Sequence, residues 1–494
     1  MKHSVTKCIF KSSAALVISV LLALSPIRPS YNVNADNIYA ATDQKVLDEY
    51  AVNTNTQAHY GYTMLAKEEN GIAMQELYNQ IDACVSKYAR GGGDISRNNP
   101  YGSDSGEMFY EIPGASFSGT QLGLSVNEMV SVYFTYRGDH PEAFYLPPNY
   151  LFSESASAVY LVIPEAFTKQ SERVKYSDLA SKRLADFKKS LGSGISDYDT
   201  VIKAHDLLME ENFYRYDSGN IPSTKQSAHS LIGWLDGTGV VCEGYAKAFQ
   251  FLLNGCGIDC LYVTGTTKGQ AHAWNAVKCD SEWFWVDTTF NDQKNLPGGY
   301  YHYYLGLPNG AFLSDHTPGQ RIFGAAYQVD LPNISDNFDC FYYKKINAQV
   351  STASSDTLMK MLATHAKREF DENSYTVTLF VENESVKSQT IQSLNRSSLV
   401  MQTLQNNDID KRCASKYSVS TIGSANAGSG GCIVYVSFDH HPCDVDRNSF
   451  VESSDADLIL DALCGNIAQP KYADTDQNGS VTVYDAVLVL KTIK

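Results

Sequence analysis

The feature that most constrains the fold is one cysteine placed between a small-residue turn and a helical pattern. The segment Gly239-Val240-Val241-Cys242 leads into this pattern. Apolar residues then recur at helical spacing, at Tyr245, Ala248, Phe249, Leu252 and Leu253. Cys242 is therefore predicted at a helix N-terminus, where unpaired N–H groups and the helix dipole favour negative charge. Because the thiolate is the nucleophilic form, this placement predicts a reactive cysteine.

A histidine and an aspartate follow on two predicted strands. His272 lies near the start of an alternating segment that contains Trp274, and Asp287 ends a second, aromatic segment that begins at Trp283. A short turn over 279–282 joins the two segments, which predicts adjacent antiparallel strands. Such strands would bring His272 and Asp287 together. A nucleophile needs a base, and the base needs a group that orients it.

Three short motifs in this order resemble the transglutaminase-like superfamily, which has a papain-like core. The motifs are Val241-Cys242-Glu243-Gly244-Tyr245-Ala246, Ala271-His272-Ala273-Trp274-Asn275 and Val286-Asp287-Thr288-Thr289. The resemblance covers roughly residues 195–310 and predicts a catalytic domain over 191–325. It implies an α+β core in which the cysteine-bearing helix packs on an antiparallel sheet. It also implies Cys242 as nucleophile, His272 as general base and acid, and Asp287 as the orienting group.

The motifs leave several functions open. A thioester on Cys242 that is resolved by water makes a peptidase or amidase, and one that is resolved by a lysine amine makes a crosslinking transglutaminase. Hydrolysis is favoured because water is abundant and the sequence contains no recognisable amine site. A non-catalytic interaction module is the second alternative. A polysaccharide-cleaving enzyme is the third, although no paired-acid signature is recognisable.

The N-terminus predicts secretion. Three lysines precede an apolar run over 14–27, and small residues near position 35 offer a cleavage site, so residues 1–35 are expected to be a signal peptide. An uncleaved membrane anchor is the alternative; after cleavage no membrane attachment is expected. Cleavage would remove four of the 39 basic and none of the 55 acidic residues, which changes the net charge from −16 to −20. An acidic surface of this kind disfavours nucleic acid as a partner.

Two further regions flank the predicted catalytic domain. Residues 42–190 are expected to form an N-terminal α+β region, with a helix over 128–137 capped by Asn127. Residues 335–440 are expected to form a small α/β accessory module, with a strand over 338–343.

Three histidines near the motifs have weaker assignments. His229 precedes the catalytic turn, and it lines the cleft in one interpretation. His302 and His316 follow Asp287 and are interpreted as packed surface residues, with substrate contact as the alternative.

The last 50 residues contain an internal repeat. Asp444-Val445-Asp446-Arg447-Asn448 recurs 30 residues later as Asp474-Thr475-Asp476-Gln477-Asn478, and each copy begins an EF-hand-like loop followed by a predicted helix. Because calcium prefers six to eight hard oxygens, the alternating acids predict two calcium ions. The predicted ligand positions are Asp444, Asp446, Asn448, Phe450, Glu452 and Asp455 in the first loop, and Asp474, Asp476, Asn478, Ser480, Thr482 and Asp485 in the second.

Residues 442–494 resemble a type I dockerin, since both loops fit and the helix that precedes each loop of an ordinary EF-hand is missing. The resemblance implies binding to a cohesin on a scaffolding protein, and hence a secreted, cell-surface assembly of the cellulosome type. It also implies that positions 10 and 11 of each loop contact cohesin. One departure is Ser449, which stands where the second loop has Gly479. The implied contact residues are Ser453, Ser454, Val483 and Tyr484.

Overall fold

A computed structural model describes most of the chain beyond residue 58. The described residues are 5–10, 31–33, 59–102, 106–293, 302–319, 331–337, 339–352, 354–423 and 431–493. They form two compact units, Met1–Asp292 with Pro308–Asp336, and Gln293–Leu307 with Asn337–Lys494. Helices and sheets both contribute to each unit, so the predicted α+β class is confirmed.

The N-terminal part of the first unit is an antiparallel sheet with helices. Ser125, not the predicted Asn127, caps the helix Val126–Asp139. Its hydroxyl accepts a hydrogen bond from the N–H of Glu128, whose carboxylate accepts the N–H of Ser125 in return. The other helices are Tyr60–Leu65, Gly71–Arg90, Gly119–Leu122 and Gln170–Ser190, and the strands in spatial order are Tyr31–Val33, Val5–Phe10, Tyr150–Ser153, Ala158–Pro164, Met108–Ser118 and Tyr101–Gly102.

The remainder of the first unit places the cysteine helix, Cys242–Gly255, against a second antiparallel sheet. Three tryptophans, Trp234, Trp274 and Trp285, are among the largest fully buried side chains of this part, which explains its aromatic strands. Its strands in spatial order are Glu282–Val286, Gln270–Cys279, Cys260–Thr267 and His316–Pro318; a hairpin joins Tyr216–Ser218 to Ile221–Pro222, and the further helices are Asp197–Glu211, Ile232–Leu235, Thr288–Asn291 and Asn309–Phe312.

The second unit contains a four-stranded sheet and helices. The prediction of a strand over 338–343 is wrong, because Tyr342–Lys345 is a helix. Phe341 and Tyr343 are buried by packing on Phe380, so tertiary contacts explain this aromatic segment without strand pairing. The strands in spatial order are Gln349–Val350, Thr376–Val381, Cys432–His440 and Cys413–Gly423, with Leu305–Leu307 elsewhere in the unit and with helices Ser355–Asp371, Glu384–Leu394 and Ser397–Gln405.

The C-terminal repeat lies in the second unit as two loops and two helices, Ser453–Leu463 and Val483–Ile493. Equivalent residues of the two copies share one apolar cluster, for example Ala456 with Ala486, which are 30 positions apart. The sequence repeat is therefore also a structural repeat.

The predicted apolar run over 14–27 lies outside the described residues. Among the residues that are described, no helix has both the length and the apolar character needed to cross a membrane.

Candidate active site

Cys242 is the first residue of its helix. The preceding Val241 is extended, and its side chain does not cap the first N–H groups of the helix. Gly239 has φ +80°, and a Cβ there would lie 2.6 Å from the ring of Phe213. A Cβ on Gly244 would lie 2.6 Å from the carbonyl oxygen of Ala228. The close packing around the cysteine therefore requires glycine at these two positions. The side chain of Cys242 itself is half-buried.

The two aromatic strands bring His272 to Asp287 as predicted, in a ladder that pairs Asn275 with Val286. The Nε2 atom of His272 lies 2.7 Å from Oδ2 of Asp287, and both side chains are buried. The sulfur of Cys242 lies close to the same imidazole and raises its pKa through both charge and hydrogen bonding. The structure therefore brings the three predicted residues into one chain of contacts.

The charges of His272 and Asp287 stabilise each other and shift both pKa values. Although burial lowers the pKa of His272, Asp287 and Cys242 raise it to about 10. Burial acts to raise the pKa of Asp287, but the two histidines beside it, His272 and His316, hold it well below its ordinary value. At neutral pH the imidazole is consequently protonated and the carboxylate is ionised.

His316 is a member of the site that the sequence interpretation missed. Instead of lying at the surface, it is 1% exposed, and its Nε2 atom lies 3.0 Å from Oδ2 of Asp287. Its Nδ1 atom lies 2.6 Å from Oδ1 of Asp315. The strand His316–Pro318 places it there by pairing with Cys260–Thr267, a long-range contact without a local sequence signal. His302 lies in the second unit, where its ring stacks on Tyr342.

Tyr214 is a second residue without a sequence signal. Its hydroxyl oxygen lies near the backbone N–H of Cys242, which acts to lower the pKa of the phenol. Burial, followed by the nearby charge of Cys242, raises the pKa of this phenol well above its ordinary value, so it keeps its proton at neutral pH. A protonated hydroxyl next to the N–H of the nucleophile is suited to bind the oxygen of a polarised carbonyl group.

Glu243, which follows the nucleophile, is the centre of a buried ion network. Its Oε1 atom lies 2.8 Å from Nζ of Lys247 and 3.2 Å from Nη2 of Arg137, and its Oε2 atom lies 3.1 Å from Nδ1 of His229. All four side chains are at most 6% exposed. His229, which one interpretation placed in the cleft, instead bonds Glu243 and the carbonyl oxygen of Ser223. Arg137 comes from the N-terminal part of the unit and thereby connects it to the start of the cysteine helix.

The two C-terminal loops have matching geometry. In the first loop the carboxylates of Asp444, Asp446 and Asp455 have oxygens within 4.8 Å of one another, and the same is true of Asp474, Asp476 and Asp485 in the second. In each copy the backbone N–H of position 5, Asn448 or Asn478, donates to the first carboxylate at 3.1 Å. These convergent hard oxygens suit calcium.

The other predicted calcium-ligand positions and the predicted cohesin-contact positions lie in or next to the same two loops. Glu452 caps the first helix, and Arg412 lies 4.5 Å from the ring centre of Phe450. The side chains of Asn478, Ser480 and Thr482 are exposed. The residues at positions 10 and 11, which are Ser453, Ser454, Val483 and Tyr484, are also exposed.

The serine that departs from the glycine pattern has a structural explanation. Ser449 has φ +72° where Gly479 has φ +89°, so the two loops adopt the same left-handed turn. The Ser449 hydroxyl donates to Oδ1 of Asn373 at 2.6 Å, and its carbonyl oxygen accepts from Nε of Arg412 at 3.1 Å. These bonds to the accessory module offset the strain of a non-glycine residue.

In a comparison with known protein families, residues 187–288 match the family model described as the transglutaminase-like superfamily. This segment contains Cys242, His272 and Asp287. Kyphoscoliosis peptidase of mouse (Mus musculus) and that of human (Homo sapiens) are each 28% identical over 98 aligned residues, which cover 16% of this chain. The match spans 15% of the length of those relatives. The predicted transglutaminase-like segment is thereby confirmed at the level of the superfamily.

Proposed function

We propose that this protein is a secreted cysteine hydrolase that cleaves amide bonds through a thioester on Cys242. The observation that carries the proposal is the His272–Asp287 pair, with His272 close to the sulfur of Cys242 at the N-terminus of a helix. A match to the transglutaminase-like superfamily over the same residues adds support. The two similar proteins are both named peptidases, which agrees with hydrolysis.

The geometry leads to a two-step reaction. The sulfur of Cys242 attacks the carbonyl carbon, and the resulting oxyanion accepts a hydrogen bond from the N–H of Cys242. His272 passes its proton to the leaving amine as the C–N bond breaks, which leaves a thioester. Water then attacks the thioester and gives a proton to His272, the C–S bond breaks, and a carboxylic acid is released. Asp287 holds the imidazole in the required orientation throughout.

The alternative acceptor is a lysine amine, which would make the protein a crosslinking transglutaminase. Incubation with a protein substrate, followed by mass spectrometry, separates the two reactions. We expect new peptide ends or deamidated side chains in the products. New isopeptide bonds would establish the alternative, and the absence of both products under all conditions would favour a non-catalytic interaction module.

The oxyanion site provides a first prediction. We expect Tyr214→Phe to lower kcat by about ten- to a hundredfold with little change in KM, because the lost hydroxyl serves the transition state. Steady-state kinetics measure the effect. Tyr216→Phe is the matched control, because Tyr216 is a neighbouring tyrosine that is half exposed, and it should change neither constant. Equal effects of the two substitutions would remove Tyr214 from the mechanism.

The pH dependence of activity provides a second prediction. Because the pKa of His272 is raised to about 10, kcat/KM should stay level through neutral pH and fall as the pH rises through about 10. The free energy of unfolding should change with pH in the same direction. Protonated His272 stabilises the fold fully below its unfolded pKa of about 6.5, and this contribution is lost as the pH rises through about 10. A pH–rate profile that falls between pH 6 and 8 would contradict the assignment.

We also propose that residues 442–494 are a calcium-dependent dockerin that attaches the enzyme to a cohesin in an extracellular, cellulosome-like assembly for polysaccharide degradation. Support comes from the two matched loops with three convergent carboxylates each. The exposed apolar side chains of Val483 and Tyr484 suit a protein partner.

Calcium removal tests this second proposal. Calcium at 100 times its Kd should stabilise the repeat by about 2.7 kcal/mol for each occupied site, and a chelator should reverse the effect. Titration calorimetry should give two ions per chain, and Asp485→Ala should leave one ion. Absence of any calcium-dependent heat or shift in Tm at millimolar calcium would rule out the dockerin assignment.

A further inference from the structure

One carboxylate oxygen in the active site serves two imidazoles. Oδ2 of Asp287 lies 2.7 Å from Nε2 of His272 and 3.0 Å from Nε2 of His316. Its other oxygen, Oδ1, accepts the backbone N–H of Phe290 at 3.0 Å. The second nitrogen of His316 is also engaged, since Nδ1 lies 2.6 Å from Oδ1 of Asp315. A chain of contacts thus runs from Asp315 through His316 and Asp287 to His272.

The protonation state of His316 follows from the two carboxylates that it contacts. An ionised carboxylate only accepts hydrogen bonds, so the nitrogens of His316 can both bond to carboxylates only when both carry protons. Burial lowers the pKa of His316, but its bonds to Asp287 and Asp315 outweigh burial and raise it. His316 is therefore an imidazolium between two anions.

The surroundings of His316 strengthen its charge effects. The ring stacks on Phe312 with centroids 4.0 Å apart and meets the edge of Trp274 at 5.0 Å, and it has no exposed side-chain area. Buried aromatic rings exclude water, so charges in this part of the site interact more strongly than at the surface. The ring centres of His316 and His272 are 5.7 Å apart.

We propose that His316 is a positioning residue whose positive charge holds Asp287 in place and makes His272 release its proton more readily to the leaving amine. The inference rests on the proposed acyl-transfer function. It gives His316 a role in the step that breaks the C–N bond. Asp287 alone would bind the proton of His272 tightly, and an imidazolium that holds its proton too tightly is a poor general acid. The charge of His316 offsets part of this attraction.

Two substitutions separate charge from hydrogen bonding. His316→Gln keeps an N–H donor for Asp287 without a charge, and His316→Phe removes both within the same aromatic surroundings. If the charge matters, both variants should move the alkaline limb of kcat upward by about one pH unit or more. They should also lower kcat at neutral pH about tenfold or more, with KM unchanged. An alkaline limb that stays in place in His316→Gln would overturn the proposal, whether or not it moves in His316→Phe.

A matched control addresses simple loss of packing. His205 is a buried histidine of the same unit that bonds Asp206 and Asn291. His205→Gln should reduce Tm without moving the alkaline limb.

A spectroscopic measurement makes the inference independent of turnover. In protein labelled at histidine carbons, the pKa of His272 is measured by NMR in Cys242→Ala and in Cys242→Ala/His316→Gln. We expect a higher pKa of His272 in the double variant. If the wild type has no acyl-transfer activity, the proposed function fails while this comparison still decides the role of His316. An unchanged pKa of His272 would refute that role even in an active enzyme.

Discussion

Replacement of Cys242 by alanine is expected to lower kcat/KM for amide hydrolysis by about 10⁴- to 10⁶-fold. The substitution removes the nucleophile, and only substrate binding and the N–H at the oxyanion site remain. Because the three residues act as a unit, adding His272→Ala should cause little further loss. Hydrolysis measured by the release of new amines or peptide ends gives the rate.

The matched control for this prediction is Cys256→Ala. Cys256 caps the other end of the same helix and is similarly half-buried, so it tests general effects of losing a thiol there. Its activity should stay within a factor of about two of the wild type, as expected for a change outside the site. Cys242→Ala protein that keeps a tenth or more of wild-type activity would require a different nucleophile and would end the thioester mechanism.

Glu243→Ala is expected to destabilise the first unit by about 3–5 kcal/mol. The substitution leaves the buried cations Arg137 and Lys247 facing each other without their common anion, and an unpaired buried charge is strongly destabilising. Burial and Arg137 lower the pKa of Lys247 to about 8 against the effect of Glu243, so this variant should partly recover as the pH rises and Lys247 loses its proton. Urea unfolding at pH 7 and pH 9 measures both effects.

An exposed pair on another helix is the control for burial. Lys182 and Asp186 have the same spacing as Glu243 and Lys247, and their side chains are 72% and 58% exposed. Asp186→Ala should change the urea midpoint little, because solvent screens such pairs. Equal midpoint shifts in the two variants would show that the Glu243 network does not stabilise the fold.

Sequence patterns predicted the structure well where interactions between residues close in the sequence decide it. The cysteine helix begins at Cys242 as predicted, because the turn before it requires small residues and the apolar spacing after it fits only a helix. The two aromatic strands pair as predicted, since a short turn joins them. Caps were predicted less well: Ser125 displaces Asn127 because Ser125, not Asn127, stands three residues before the Glu128 that completes the capping box.

The sequence by itself identified Cys242, His272 and Asp287 as the candidate nucleophile, base and orienting acid, together with the repeated acidic loops. These signals lie in short motifs whose spacing is set by one helix, one hairpin and one 30-residue repeat. Only the tertiary structure decided that His316 shares Asp287, that Tyr214 reaches the N–H of Cys242, and that Arg137 pairs with Glu243. Each of these contacts joins segments that are distant in the chain. A buried charged group needs a partner, and which groups become buried together depends on the tertiary structure, which no local pattern encodes.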